Sequence, residues 1–152
     1  MQNSVITLVP TSAADAAGLA DLRVLAMRES LEQVGQFDPV RARERLLQNF
    51  DARHTRHICR DGEAVGFVVV RPSQFGHLLD HLCVHPDHQR QGIGSVALTL
   101  VQREADQLGK ALVVGALRDS GSNRFYMRHG FALLDQAQGD NYYVRAPQAT
   151  PV

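Results

Sequence analysis

The segment His85-Pro86-Asp87-His88-Gln89-Arg90-Gln91-Gly92-Ile93-Gly94-Ser95 holds the densest chemistry in this 152-residue chain. It follows a short apolar run and precedes apolar residues at helical spacing, so it reads as a strand end, a turn and a helix start. The first N–H groups of a helix lack internal acceptors, and the macrodipole leaves that end with roughly +0.5 charge. Gly92 and Gly94 remove side chains that would keep an anion from those groups, and Gln89, Arg90 and Gln91 add donors. The combination suits a phosphate; glycines that merely allow tight packing are the plainer alternative. Two familiar phosphate motifs are excluded. No G-x-x-x-x-G-K-[ST] occurs. The dinucleotide fingerprint needs a third glycine where Ala97 stands, and the turn lies mid-chain instead of opening a βαβ repeat.

Just upstream, Asp80 interrupts the apolar run Leu78 to Val84. A carboxylate there is costly unless solvated or partnered, so it is either a structural acceptor or a group facing a groove, where it could take a proton. His81 is the rival base, with the more convenient ordinary pKa. His77, His81 and His85 share strand parity with Cys83. Residues i and i+4 on a strand are ~13 Å apart, too far to share one zinc, so no metal site is expected.

These residues must be positioned by an alternation of short strands and helices. Ser4 to Val9 is β-branched and reads as a strand. Thr11 or Ser12 is placed to cap a helix running to about Val34, with Gly35 as its stop. Asp38 and Pro39 open a second helix as N-cap and first helical residue. His57 to Arg60 and Ala64 to Val70 are strands joined by a tight turn at Asp61-Gly62, and Leu78 to Val84 is the next strand. Ile93, Val96, Ala97, Leu100, Val101, Ala105 and Leu108 form an amphipathic stripe ending at Gly109. Ala111 to Leu117 is a buried-type strand, Ser120 to His129 a short helix, and Phe131 to Leu134 and Tyr142 to Arg145 close the sheet. Adjacent strands in the first half suggest antiparallel pairing, while the strand–helix–strand unit over 78–117 requires a parallel crossover. The expectation is one α/β domain over residues 1–152, ending in a loose tail at 147–152.

Composition narrows the class. Sixteen basic and sixteen acidic residues give zero formal charge, which argues against a nucleic-acid partner. At 44% hydrophobic and 21% charged the chain is ordinary globular material, and no apolar run is long enough to span a membrane. Met1-Gln2-Asn3-Ser4 does not resemble a signal peptide, and Cys59 and Cys83 form no C-x-x-C pair, so a cytoplasmic location with reduced thiols is expected.

Val84 to Gly94 fills every defining position of V-x-P-x-x-[QR]-x-x-G-x-[GA], the acyl-CoA motif of the GNAT acetyltransferase superfamily. Phe125-Tyr126-Met127-Arg128-His129-Gly130-Phe131 resembles the F/L-Y-x-x-x-G-F of the same family, and the element order matches over residues 4–146. The resemblance implies the GNAT fold: a mixed, mostly antiparallel sheet of about six or seven strands, with about four helices on its two faces. It implies acetyl-CoA as donor and direct attack by an amine, with no metal. Main-chain groups of Leu82, Cys83 and Val84 would pair with the pantetheine arm, and Gln89, Arg90, Gln91, Gly92, Ile93, Gly94 and Ser95 would cradle the pyrophosphate. Tyr126 would contact the cofactor and protonate the departing thiolate, a phenol at ~10 being near a thiol at ~8.5. Asp80 would be the base, directly or through water. Many members carry an asparagine seven positions before the tyrosine; here Asp119 stands there, and Asn123 is the substitute cofactor contact.

The acceptor pocket is expected from the first two helices, including Met27, Leu31, Val34 and Phe37, with Glu29, Glu32 and Asp38 near a cationic amine. The acceptor is then a small-molecule or protein amine, and homodimerisation is common in the family. A non-catalytic acyl-CoA-binding module and an unrelated anion-binding domain are the competing classes. Retention of both Tyr126 and Asp80 leans towards an enzyme.

Overall fold

The computed structural model describes residues 4–149. Met1 to Asn3, and residues 150–152 of the expected tail, lie outside them. The elements are β1 (Ile6–Pro10), α1 (Ala16–Gln33), α2 (Pro39–Leu47), β2 (Thr55–Arg60), β3 (Glu63–Ser73), β4 (Gly76–Val84), α3 (Ile93–Leu108), β5 (Leu112–Leu117), α4 (Ser122–Arg128), β6 (Ala132–Ala137) and β7 (Asp140–Arg145). The strands form a seven-stranded sheet in the order β1-β2-β3-β4-β5-β7-β6. β1, β2 and β3 pair antiparallel, as do β5 with β7 and β7 with β6. β4 and β5 pair in parallel, joining His77–Leu79 to Leu112–Val114, which is the crossover the sequence required. The expected mixed α/β architecture is therefore the observed one.

The chain divides into two compact units, residues 1–69 with 81–97 and residues 70–80 with 98–152. The first contains β1, α1, α2, β2 and the segment from the end of β4 into α3. Its core is Leu19, Ala20, Leu46, Phe67, Val69 and Cys83, with Leu22, Ala26, Met27 and Phe50 packed against them. Burying each large aliphatic or aromatic side chain contributes ~1.5–3 kcal/mol. In the second unit Leu79, Leu98, Val101, Leu112, Val114, Tyr126, Phe131 and Tyr143 are buried.

Local signals act as the sequence predicts in several places. The Asp38 carboxylate accepts from Val40 and Arg41 N–H, with Pro39 at the first helical position. Asp61 and Gly62 both take positive φ at the β2–β3 turn. Elsewhere the structure corrects the reading. The first helix opens with a separate 3-10 turn at Ala13–Asp15, and the Asp15 carboxylate accepts from Ser12 N–H at 2.8 Å. Thr11 caps nothing; its hydroxyl donates to Thr55 O at 2.8 Å and ties the end of β1 to the start of β2. β6 and β7 extend to Ala137 and back to Asp140 around a positive-φ turn at Gln138-Gly139. Their polar ends, Asp135-Gln136 and Asp140-Asn141, hide the strand pattern: β6 is the exposed edge strand, and β7 beside it is half-buried apart from buried Tyr143. The expected tail is partly anchored, since Gln148 N–H donates to the Asp106 carboxylate at 2.9 Å.

Candidate functional site

Within the first unit, β4 delivers the motif loop. Alternation along the strand buries His81 and Cys83 and leaves Leu82 and Val84 half-buried. The loop then makes a 3-10 turn at Pro86–His88, capped by the His85 ring, whose Nδ1 accepts from Asp87 N–H at 3.0 Å. His85 N–H donates to Val65 O at 2.8 Å, holding the loop entrance against β3. Gln89 folds back and donates its side-chain amide to Val84 O at 2.8 Å. Of the residues expected to hold phosphate, Gln89 therefore braces the loop from inside. Arg90 and Gly92 follow in left-handed conformations, with φ 64° and 79°. The first helical hydrogen bond runs from Val96 N–H to Gly92 O at 3.1 Å. The amides of Ile93 and Gly94, which open that first turn, precede the i to i−4 ladder of the helix.

Gly92 meets two demands at once. Its positive φ suits a residue with no Cβ. A Cβ built there would meet nothing within 4 Å, so the loop opens onto space and is not packed shut. Arg90 reaches outward, its side chain 87% exposed and its guanidinium 3.8 Å from Glu29. At the other face of the strand end, Gly66 on β3 admits the β4 backbone: an added Cβ would lie 2.2 Å from Cys83 O and 3.1 Å from Val84 Cα. Sequence reasoning missed Gly66, because a glycine inside the apolar run AVGFVVV gives no sign of what crosses it.

Arg60, at the end of β2, was also missed. Its Nη1 donates to Gln91 Oε1 and its Nη2 to His88 Nδ1 at 2.9 Å. His81 has Arg23 Nε at 3.2 Å from Nδ1 and Arg45 Nη1 at 3.4 Å from Nε2. Both guanidiniums only donate and a neutral imidazole has one acceptor nitrogen, so the ring accepts from one of them and that bond occupies the lone pair base work would need. Cys83 sits in the core with its thiol pushed up to about 12 by burial, which makes it structural material. Among the residues expected at the acceptor pocket, three have contacts within the helical layer. Met27 packs on the core, the Arg28 guanidinium lies 5.4 Å from the Phe37 ring centroid, and Glu32 accepts from Arg28 at 2.7 Å.

Within the second unit lie Asp80, Asn123 and Tyr126. Asp80 is ion-paired with Arg71 at 3.2 Å, its side chain 9% exposed, so its cost inside the strand is offset. Tyr126 is buried on α4 among aromatic rings, edge-on to Phe125 at 5.3 Å and to Phe131 at 5.5 Å, with Tyr143 at 6.4 Å. Asn123, the expected cofactor contact, has protein partners on both ends of its amide. Nδ2 donates to Leu117 O and Ser120 O, and Oδ1 accepts from Asn141 Nδ2 at 2.8 Å and the Tyr143 hydroxyl at 2.7 Å. That uses its two donors and two lone pairs, so a cofactor contact there would have to displace one of them. Asp119 takes φ 69°, a conformation that asparagine and aspartate tolerate better than other side chains. Among the described residues no group of three or more His, Cys, Asp or Glu is placed to hold a metal ion. None of their helices is long and apolar enough to cross a membrane.

A mixed seven-stranded sheet whose fourth strand feeds an open glycine turn and a helix is the arrangement of an acyl-CoA-handling domain. Residues 52–133 match the family described as an acetyltransferase (GNAT) domain, and the chain belongs to that family. Solved structures share the fold at low identity. The PaiA N-acetyltransferase from Thermoplasma acidophilum, in complex with coenzyme A, aligns at TM-score 0.72 and 14% identity over 93% of this chain and 99% of its own. An acetyltransferase from Thermus thermophilus aligns at 0.70 and 21%, covering 96% and 99%. The ribosomal-protein-S18-alanine N-acetyltransferase from Escherichia coli aligns at 0.69 and 16%, covering 97% and 96%. No curated protein matches the sequence.

Proposed function

We propose that the protein is an N-acetyltransferase that moves an acetyl group from acetyl-CoA to a primary amine, with residues 1–152 acting as one cytoplasmic domain. The observation that carries this reading is the loop from Val84 to Ser95. It is braced by Gln89, turned by positive φ at Arg90 and Gly92, and open where a Cβ at Gly92 would project. Those features suit a diphosphate held by main-chain amides of the α3 N-terminus, with Arg90, Gln91 and Ser95 beside it. The same structural likeness extends to a neighbour solved in complex with coenzyme A.

Acetyl-CoA supplies the thioester; the chain supplies geometry and protons. Main-chain groups of Leu82, Cys83 and Val84 are assigned to the pantetheine arm. The main-chain N–H of Val84 is assigned to the charge that develops on the thioester oxygen, where a preorganised donor acts most strongly. An attacking alkylamine has an ordinary pKa near ~10.4 and must lose a proton, which we assign to Asp80 directly or through water. The guanidinium donors of Arg23 and Arg45 at the two ring nitrogens of His81 support Asp80 over His81. Tyr126 is assigned to protonate the departing thiolate. Its ring is held by Phe125 and Phe131, so the hydroxyl direction is fixed by packing.

The test is release of free CoA thiol from acetyl-CoA across small amines and N-terminal peptides. Wild-type protein should turn over at least one class. Tyr126→Phe should lower kcat by about a hundredfold with little change in CoA affinity, the range typical of a lost general acid. Unchanged turnover would remove the acid assignment. CoA binding without transfer to any amine would favour the binding module instead.

A further inference from the structure

We infer that Arg60 is a positioning residue that sets the donor polarity of the phosphate loop. The inference rests on the CoA reading and deepens it. Arg60 belongs to β2, some thirty positions before the loop, yet it grips two loop residues with separate nitrogens: Nη1 on Gln91 Oε1, and Nη2 on His88 Nδ1 at 2.9 Å. A guanidinium has five N–H donors and no acceptor. Whatever faces it must offer a lone pair.

Two consequences follow from that one-sidedness. A side-chain amide is ambiguous, presenting oxygen or NH2 according to its flip. Gln91 meets Arg60 with its oxygen, so the group left to face outward is the NH2 donor. An imidazole is ambiguous in its tautomer. His88 meets Arg60 with Nδ1 as acceptor, so the ring carries its proton on Nε2 and presents a second donor. Arg60 thus turns two groups of undetermined polarity into N–H donors on a loop assigned to a diphosphate. An anion is repelled by a misflipped amide oxygen, so this choice affects affinity for the phosphates and leaves the thioester chemistry alone. The guanidinium also adds a positive charge in contact with the loop. His88 and Arg60 are half-buried and Gln91 is exposed, so the grip lies at the surface.

The experiment compares acetyl-CoA with S-acetylpantetheine, which carries the same thioester and no phosphate, for wild type, Arg60→Met and Arg60→Lys. Arg60→Met should raise KM for acetyl-CoA about tenfold, as expected for lost charge-assisted hydrogen bonds. Its kcat at saturation and its KM for S-acetylpantetheine should stay within about twofold of wild type. Arg60→Lys keeps the charge but cannot make both contacts, and should fall between the two. A parallel rise in KM for both donors, or no rise for acetyl-CoA, overturns the inference. The ring nitrogens of His88, read by 15N NMR on wild-type protein without ligand, should show the Nε2–H tautomer, with Arg60→Met losing that bias. An Nδ1–H ring in wild type contradicts the arrangement. That readout needs no turnover, so it separates failure of the Arg60 inference from failure of the acetyl-transfer reading, which wild type inactive on both donors would signal.

Discussion

Replacing Gly66 by alanine tests how closely β4 must lie against β3. The added Cβ would stand 2.2 Å from Cys83 O, 3.2 Å from Cys83 C and 3.1 Å from Val84 Cα. All three are main-chain atoms, so no side chain can swing aside. Contacts under 3.0 Å are essentially never seen, so the carbonyl must retreat from 2.2 to at least 3.0 Å, a displacement of about 0.8 Å. Forcing one carbon into a packed site costs about 1–3 kcal/mol. For a chain of this size that lowers Tm by roughly 3–10 °C. The displaced groups are those assigned to the pantetheine arm and the thioester oxygen. A misplacement of ~1 Å can reduce catalysis about a hundredfold, so kcat/KM for acetyl-CoA should fall on that scale. The assay pairs thermal unfolding with initial rates. Gly121→Ala serves as the matched control, because its Cβ would meet nothing within 4 Å. Gly66→Ala with wild-type Tm and rate would show that β4 can sit farther from β3 without cost.

Other outcomes follow from side chains outside the loop. Asp106 accepts from Arg145 at 2.8 and 3.1 Å, with both side chains nearly buried. The hydrogen bond from Arg145 holds its carboxyl below the usual range, opposed by burial. That stabilisation is present above the unfolded carboxylate pKa of ~3.9 and is lost as pH falls through the lower folded value. Asp106→Asn should therefore cost about 3 kcal/mol near neutrality, by denaturant titration, with the difference from wild type shrinking in acid. Asn123→Ala strips partners from Leu117 O, Ser120 O and the Tyr143 hydroxyl; a loss of about 2–3 kcal/mol by the same titration is expected. Cys83, whose thiol burial pushes up to about 12, should resist a thiol reagent at pH 8 until the protein is unfolded, and rapid native labelling there would contradict its place in the core.

What could be read from the sequence was what neighbours along the chain decide. Asp38 before Pro39 and Asp61 before Gly62 each specify a local geometry within a few residues and appear as read, and the run Val84 to Gly94 appears as the strand end, turn and helix start it reads as, with Gln89 turned inward. The family motif then extended that local reading to a fold. What stayed hidden depends on partners far along the chain. Nothing in the residue type of Arg60 says that it meets His88 and Gln91, or in Gly66 that Cys83 O crosses it. Asn123 looked like a ligand contact because an amide can serve either purpose; its satisfaction by Asn141 and Tyr143 arises only when β7 lies beside the β5–α4 turn. Asp119 takes a positive φ, a backbone requirement that no spacing argument contains and that asparagine, the family's residue there, would meet as well.

The most direct measurement is a titration of the intact protein with CoA, acetyl-CoA and ADP, followed by calorimetry and thermal shift. If the α3 N-terminus and the strand before it hold a diphosphate and a pantetheine arm together, the two pantetheine-bearing ligands bind. At a hundredfold excess over Kd they stabilise the fold by about 2.7 kcal/mol, and ADP, which lacks the arm, binds more weakly. Equal binding of ADP and CoA, or heat and melting curves that no CoA ligand changes, contradicts the account.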